Sequence, residues 1–233
     1  MNSNTLWKAF NPVTILSDVK SLNVKQGYFM SGMLAVMLGL MLYWGESTIS
    51  IIASLTGVIC VVLVNLRKLS NYFWGTINAV FYGYVAYQAA YYGDSMLNFL
   101  FYLPIQFIGA YFWSKSMNDG IVESKKLNLV SGVLVIMGIG VSILAYSLFL
   151  ISLNGNLALI DSCTTVLSIA ATILMVKCYR EQWVCWIVVN ILSIYMWYVN
   201  FQLNQDGIGI LVMWSIFLIN SIYGLYSWSK TTK

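Results

Sequence analysis

The feature that most constrains this fold is a series of apolar segments, each long enough to cross a membrane. A helix needs about 20 mostly apolar residues to span the hydrocarbon core of a bilayer. Hydrophobic residues make up 60% of the 233-residue chain and charged residues only 9%. A soluble domain of this length needs far more charge to cover its surface. The sequence therefore predicts an all-α polytopic membrane protein.

About eight transmembrane helices are predicted, and seven is the fallback count because the first segment is the shortest. The predicted spans cover residues 27–44, 48–66, 71–91, 95–113, 127–151, 157–176, 183–203 and 207–228. Residues 1–26 precede them, with apolar side chains near helical spacing and with Asn11-Pro12 as a cap and first turn. This lead predicts an amphipathic helix on the cytoplasmic face, and a disordered lead is the alternative.

The distribution of charges tests this span count. Eight crossings leave five segments on one side of the membrane, and all twelve Lys and Arg residues fall on that side. The loops on the other side carry Glu46, Asp94 and Asp206 and no basic residue. By the positive-inside rule both termini are cytoplasmic. The net charge of +4 thus reports topology, and no nucleic acid is expected as a partner.

Two parts of the chain resemble each other. A shift of 112 residues superposes Lys68 on Arg180, Trp74 on Trp186, Asn78 on Asn190 and Asp94 on Asp206, and both copies close on Gly-x-Tyr-x-Trp-Ser-Lys. Three spans per copy is an odd number, so a linking helix must return the chain to the first side. The predicted organisation is a lead (1–26), an extra N-terminal span (27–46), a first three-helix repeat (47–115), a cytoplasmic loop with the linking helix (116–152), and a second repeat with the C-terminal tail (153–233). Parallel repeats with a substrate site between them are a transporter architecture.

Polar side chains within the spans are the candidate site. At about 100° per residue, Trp183, Trp186 and Asn190 share one stripe of a helix. Polar residues in lipid are costly and face a cavity or one another, and the helix–helix hydrogen bond is the alternative for each. The other candidates are Asn78, Gln88, Asn98 and Gln106 in the first copy, and Asp161, Thr164, Thr165, Asn200 and Asn220 in the second.

The tryptophans raise a question of their own, because indoles also collect in belts at the membrane interface. Trp183 starts its span and has the belt as its alternative, whereas Trp186 lies about a turn deeper and favours the cavity. The remaining tryptophans near span ends are assigned to the belt: Trp7, Trp44, Trp113 and Trp228.

Asp161 is the one carboxylate that the predicted spans contain. It is a candidate proton or ion site, a substrate contact, or an end residue that reaches outward, with Thr164 one turn on. The four cysteines are interpreted as small buried hydrophobes. Without histidine or a Cys-x-x-Cys pair, no metal site and no cofactor is expected.

The composition of the spans restricts the substrate. No basic residue lies inside a predicted span, so a phosphate or carboxylate would find no fixed partner. Aromatic faces attract cations and stack on flat rings. An uncharged or cationic molecule with an aromatic ring and hydroxyl groups fits best. Paired carboxylates and nucleophile–base pairs are missing from the motifs, so transport is favoured over enzymatic chemistry.

Three segments resemble the PnuC-type nicotinamide riboside transporters. They are residues 71–78 (NYFWGTIN), 161–169 (DSCTTVLSI) and 179–190 (YREQWVCWIVVN), and the similarity covers about residues 48–229. The resemblance implies a fold like that of the SWEET sugar transporters, with two three-helix bundles and a linking helix. It also implies a homotrimer in the bacterial cytoplasmic (inner) membrane.

The same resemblance implies uptake of nicotinamide riboside by facilitated diffusion, with trapping by a cytoplasmic riboside kinase. We therefore expect Trp183 and Trp186 to bind the ring. Asn190, Asn78, Asn98 and Gln106 are expected at the hydroxyls and the amide, with Asp161 and Thr164 as weaker candidates. The alternative is a carrier of another vitamin or nucleoside, such as riboflavin, thiamine or a deoxynucleoside, coupled to protons through Asp161.

Overall fold

The computed structural model describes residues 7–118, 121–122 and 124–231. Residues 1–6 of the predicted lead and Lys233 of the predicted tail lie outside the described residues. The helices are α1 (Pro12–Lys20), α2 (Val24–Tyr43), α3 (Thr48–Asn65), α4 (Asn71–Gln88), α5 (Tyr92–Ser116), α6 (Leu129–Ser152), α7 (Ala158–Val176), α8 (Gln182–Asn204) and α9 (Ile208–Thr231). Helix α5 contains a π-helical segment, Leu97–Tyr102, and a short hairpin of β1 (Met117–Asn118) and β2 (Ile121–Val122) follows it.

All eight predicted spans form helices, which confirms the all-α fold class. Seven of the described helices are long and apolar enough to cross a membrane. Helix α4 is the exception, because its carboxamides and tyrosines lower its hydropathy. It nevertheless packs against α3, and the Asn78 side chain donates a hydrogen bond to the Ala53 carbonyl at 2.8 Å. Helix α4, the third of the eight predicted spans, is therefore a polar helix held within the bundle.

The N-terminal lead is helical where the structure describes it. Asn11 accepts a hydrogen bond from the Val13 amide at 2.9 Å, with Pro12 in the first turn, so the predicted cap is confirmed. A 3₁₀ turn, Trp7–Phe10, precedes α1. Within residues 7–20 the alternative of a disordered lead is wrong.

Helices α3–α5 and α7–α9 form two groups of three. Helix α3 contacts α9 and α5 contacts α7, and a hydrogen bond from the Trp197 indole to the Tyr82 hydroxyl joins α8 to α4. The linking helix α6 packs on α7, and α2 packs on the outside of α3 and α9. Two copies related by a pseudo-two-fold axis would produce this adjacency. The predicted domain boundaries and the exact repeat stay predictions.

The helix ends after α3 and α7 have the same geometry. Each ends on a left-handed residue, Arg67 (φ 57°) and Cys178 (φ 65°). The next amide then reaches back five residues to a backbone carbonyl, at 2.9 Å from Lys68 and at 2.8 Å from Tyr179. This hydrogen bond is that of a Schellman cap. The two basic turns thus end their helices in the same way, but one residue out of step with the shift of 112 that superposes Lys68 on Arg180.

The closing motifs are also equivalent, and they correct one prediction. Trp113 and Trp228 have no exposed surface, whereas Trp7 and Trp44 are 56% and 48% exposed. The ring of Trp113 packs edge-to-face on Tyr72 with centroids 5.3 Å apart. The belt assignment is therefore wrong for Trp113 and Trp228, because the motif turns both indoles toward the bundle rather than toward lipid.

Candidate functional site

A cavity lies between the two helix groups. Its volume of about 110 Å³ is several times the roughly 15 Å³ that one ordered water requires. Among the described residues that line it, none carries a formal charge. The polar and aromatic side chains of the lining are Asn71, Tyr72, Asn78, Tyr82, Asn98, Tyr102, Gln106, Thr172, Trp183, Trp186, Asn190, Trp214, Phe217 and Ser221. Concave, mostly apolar cavities with a few placed polar groups are typical ligand sites.

The structure brings six of the eight predicted site residues together on this cavity. They are Asn78, Asn98, Gln106, Trp183, Trp186 and Asn190. They come from three helices, α4, α5 and α8, because the polar stripe of each helix turns away from lipid. Residues of α9 also line the cavity. Asp161 and Thr164 lie elsewhere. Contact of any of these side chains with a substrate stays a prediction.

The asparagines of the cavity are held by hydrogen bonds through their amide nitrogens. Asn98 donates to the Asp94 carbonyl at 2.8 Å, and Asn190 donates to the Ser221 hydroxyl at 2.8 Å. Asn98 is 1% exposed, and its Oδ1 atom has no hydrogen-bond partner among the described residues. A buried carbonyl oxygen without a partner is costly, so it favours a ligand that donates a hydrogen bond.

The two indoles of the predicted stripe differ in burial. Trp183 is 2% exposed and packs edge-to-face on Trp228, with ring centroids 5.9 Å apart. Trp186 is half-buried. Trp183 therefore lies within the bundle and not in a lipid belt, whereas Trp186 offers more free surface to a flat ring.

Asp161 is built into a helix junction rather than into the cavity. Its carboxylate is fully buried and accepts hydrogen bonds from the amides of Gly93 at 2.8 Å and Asp94 at 2.9 Å. These amides lie in the first turn of α5, where a carboxylate caps the helix and complements its dipole. The Thr164 hydroxyl donates to the Asp161 carbonyl at 2.9 Å. Asp161 thus ties α7 to α5, and it does not reach outward.

Tyr82 is a lining residue that the sequence reasoning missed. Its hydroxyl donates to the Asp94 carboxylate at 2.6 Å and accepts from the Trp197 indole at 3.1 Å. Asp94 is 2% exposed, although the sequence suggested an acidic turn outside the membrane. With 16 tyrosines in the chain and no motif around Tyr82, nothing in the pattern singled it out.

Other predicted polar residues serve helix packing. Asn220 accepts a hydrogen bond from Asn65 at 3.1 Å, which joins α9 to α3. Asn200 donates to the Asp206 carbonyl at 3.0 Å, and Gln88 is exposed and donates to Tyr84. For these three the helix–helix or local hydrogen bond is the better interpretation.

The possible metal ligands and the cysteines are scattered over the described part of the chain. Within it, no group of three or more His, Cys, Asp or Glu side chains is arranged to hold a metal ion. The four cysteines are free thiols. Burial raises the pKa of the Cys178 thiol, so this thiol stays protonated and unreactive at neutral pH.

Comparison with known proteins agrees with this geometry. The profile of the family described as nicotinamide mononucleotide transporter matches residues 47–230. The nicotinamide riboside transporter PnuC of Neisseria mucosa is 40% identical over 195 residues, which cover 81% of this chain and 74% of the relative. The protein of the same name from Haemophilus influenzae is 38% identical over 192 residues, with 81% and 82% covered.

A solved structure shows the same fold. The crystal structure of the vitamin B3 transporter PnuC superposes with a TM-score of 0.82 at 34% identity, over 91% of this chain and 93% of that one. The segment that resembled this family in sequence, about 48–229, agrees with the matched segment. Helices α1 and α2 precede the family match, which begins at residue 47.

Proposed function

Because this chain belongs to the nicotinamide mononucleotide transporter family, we propose that it imports nicotinamide riboside by facilitated diffusion. It is a multi-pass membrane protein and a transporter of nicotinamide riboside. The observation that carries the mechanism is the gathering of six predicted side chains on one uncharged cavity between two helix groups. Membership of this family supports the broad functional class of transporter rather than enzyme.

The chemistry of the cavity supports a riboside over its phosphate. A pyridinium ring carries a positive charge that indole faces attract, and Trp186 lines the cavity and is half-buried. Ribose hydroxyls and the carboxamide match asparagine and glutamine side chains. A phosphate would enter an uncharged lining and lose its hydration without a cationic partner, which is strongly unfavourable. Phosphorylation by a cytoplasmic riboside kinase would therefore trap the product.

Each of the eight predicted site residues has a proposed role. Trp183 and Trp186 bind the ring, with Trp186 making the larger contact. Asn190, Asn78, Asn98 and Gln106 bind the hydroxyls and the amide. Asp161 and Thr164 act at the α5–α7 junction and not on the substrate, and this also argues against proton coupling through Asp161, since backbone amides occupy both of its oxygens.

The setting in the cell follows from charge and family. We propose the bacterial cytoplasmic membrane with both termini inside, since all basic residues fall on one side of the eight helices. Rocking of α3–α5 against α7–α9 would expose the cavity to each side in turn. A homotrimer remains the expected assembly. Helix α1 would lie on the cytoplasmic surface, with Val13, Leu16 and Val19 exposed toward lipid.

The test is a binding titration of the purified full chain, followed by tryptophan fluorescence. Nicotinamide riboside is compared with its 5′-phosphate, thiamine and riboflavin. We expect saturable quenching by the riboside alone. Trp186→Ala should weaken binding about thirtyfold, because stacking and cation–π contacts are each worth roughly 1 kcal/mol.

Trp44→Ala is the matched control, since Trp44 is 48% exposed on α2 and lies outside the cavity. Its affinity should equal that of the wild type. A response to another vitamin and none to the riboside would overturn the substrate. Equal loss in both variants would overturn the site.

A further inference from the structure

Several cavity side chains rest directly on glycines of a neighbouring helix. A Cβ atom added to Gly75 on α4 would lie 2.8 Å from Oε1 and 2.9 Å from Nε2 of Gln106 on α5. A Cβ atom added to Gly57 on α3 would lie 2.7 Å from Nδ2 of Asn78. Real Cβ atoms essentially never come closer than 3.0 Å to such neighbours. The carboxamides therefore occupy space that any other residue would fill.

The second helix group has a glycine of the same kind under an indole. A Cβ atom added to Gly224 on α9 would lie 2.6–2.7 Å from three ring atoms of Trp183. An indole is rigid, so it cannot bend away as a flexible chain end can. Either the ring or the whole of α9 would have to shift.

The glycines of the linking helix make no such contact. A Cβ atom on Gly132, Gly138 or Gly140 would meet nothing within 4 Å. Elsewhere the contact recurs, for example at Gly109 on α5, where an added Cβ atom would lie 2.5 Å from the Tyr72 ring. Close approach is therefore not general to the glycines of this chain, and at the two glycines under the carboxamide of Gln106 and the indole of Trp183 it concerns side chains that are predicted to bind the substrate.

We propose that Gly75 and Gly224 are positioning residues of the transporter. Because they have no side chain, Gln106 and Trp183 can lie close against the neighbouring helix, and this sets the free width of the cavity. The inference rests on the proposed function, because it concerns the fit of the riboside. Gly75, Gln106 and Trp183 all line the cavity. A methyl group at position 75 would fill the space between the backbone of α4 and the Gln106 carboxamide. The carboxamide would therefore move away from α4 and toward the substrate.

Gly75→Ala tests this in the full-length protein, both by fluorescence titration with nicotinamide riboside and by uptake into proteoliposomes. We expect the dissociation constant and KM to rise about tenfold, as for a well-packed site that is overfilled. The maximal rate should change by less than about threefold, because Gly75 and Gln106 both lie within α3–α5, which is proposed to move as one group.

A double-mutant cycle separates positioning from a general effect on the fold. Gln106→Ala removes the side chain that the new methyl group would displace. In that background Gly75→Ala should change the dissociation constant by less than about twofold, which is the non-additivity expected of contacting residues. Gly138→Ala is the matched control, and it should be neutral in both backgrounds.

Two results would overturn the inference while leaving the proposed function intact. One is wild-type affinity in Gly75→Ala, and the other is the same loss with and without Gln106. If Gly75→Ala does not fold, the cycle of Gly224→Ala with Trp183→Ala decides by the same criteria. A wild-type protein that does not bind the riboside would instead overturn the proposed function, and the positioning role with it.

Discussion

The two acidic turns of the sequence repeat occupy equivalent places and have opposite environments. Asp94 is 2% exposed, bonded to the Tyr82 hydroxyl at 2.6 Å, and its amide donates to Asp161. Asp206 is exposed and accepts a hydrogen bond from the neighbouring Gly207 amide at 2.8 Å. The first turn is therefore bonded to the other helix group. Beyond the second turn, the Gly209 amide at the start of α9 donates instead to the Glu46 carboxylate, between α2 and α3, at 3.0 Å.

The two parts of the sequence that resemble each other therefore differ in the contacts of their acidic turns. The outer end of α5 is fixed to α7 through Asp161, and α4 is linked to α8 through Tyr82 and Trp197. The Asp206 turn makes no comparable described bond to the first helix group. Because Tyr82 also lines the cavity, the contact between Tyr82 and Asp94 lies next to the candidate substrate site.

The largest effect is expected from Asp161→Ala. The change leaves two buried amides without acceptors, at about 1–3 kcal/mol each. We expect a loss of about 3 kcal/mol in unfolding free energy and a fall of at least about tenfold in riboside uptake. Denaturation of the purified protein and uptake into proteoliposomes measure the two quantities.

Asp206→Ala is the matched control for that variant, since it changes the equivalent turn at an exposed position. Its stability should stay within about 0.5 kcal/mol of the wild type. Equal effects of the two substitutions would remove the contrast between the turns.

A smaller effect is expected from Tyr82→Phe, which keeps the ring and removes the hydroxyl. The Asp94 carboxylate and the Trp197 indole each lose a partner, so the loss should be about 1–3 kcal/mol. Tyr84→Phe serves as the control, because Tyr84 is 46% exposed on the same helix. Thermal denaturation in detergent compares them, and wild-type stability of Tyr82→Phe would show that the outer contact is dispensable.

The smallest effect concerns the starts of α4 and α8, at the other end of the bundle. The Asp18 carboxylate accepts a hydrogen bond from the Ser70 amide at the start of α4, at 2.9 Å, whereas the start of α8 has no side-chain cap. Asp18→Ala should cost about 1 kcal/mol, as for the loss of a helix cap. Thermal denaturation against Lys20→Ala measures this, and identical midpoints would mean that α1 does not support α4.

Helix-level features could be predicted because they depend on local sequence alone. The eight helices follow from apolar length, and the Trp183–Trp186–Asn190 stripe follows from a period of 3.6 residues. The grouping of these residues with Asn78, Asn98 and Gln106 was also within reach, because buried polar groups in a membrane protein turn away from lipid.

The hydrogen-bond and packing partners of individual side chains could not be predicted, because they do not depend on local sequence alone. Asp161, Trp113 and Trp228 lie near predicted span ends, where reaching outward and packing inward look alike in sequence. Tyr82 bonds to Trp197 from 115 positions away, and no local pattern records a contact of that kind.

By itself, the sequence determined the membrane class, the helices and the polar stripes, since each depends on the residue order within one helix. The tertiary structure alone decided which carboxylate caps a helix, which indoles are buried and which glycines the cavity side chains rest on. Those outcomes depend on how closely two distant helices approach, and that distance is set by the packing of the whole bundle.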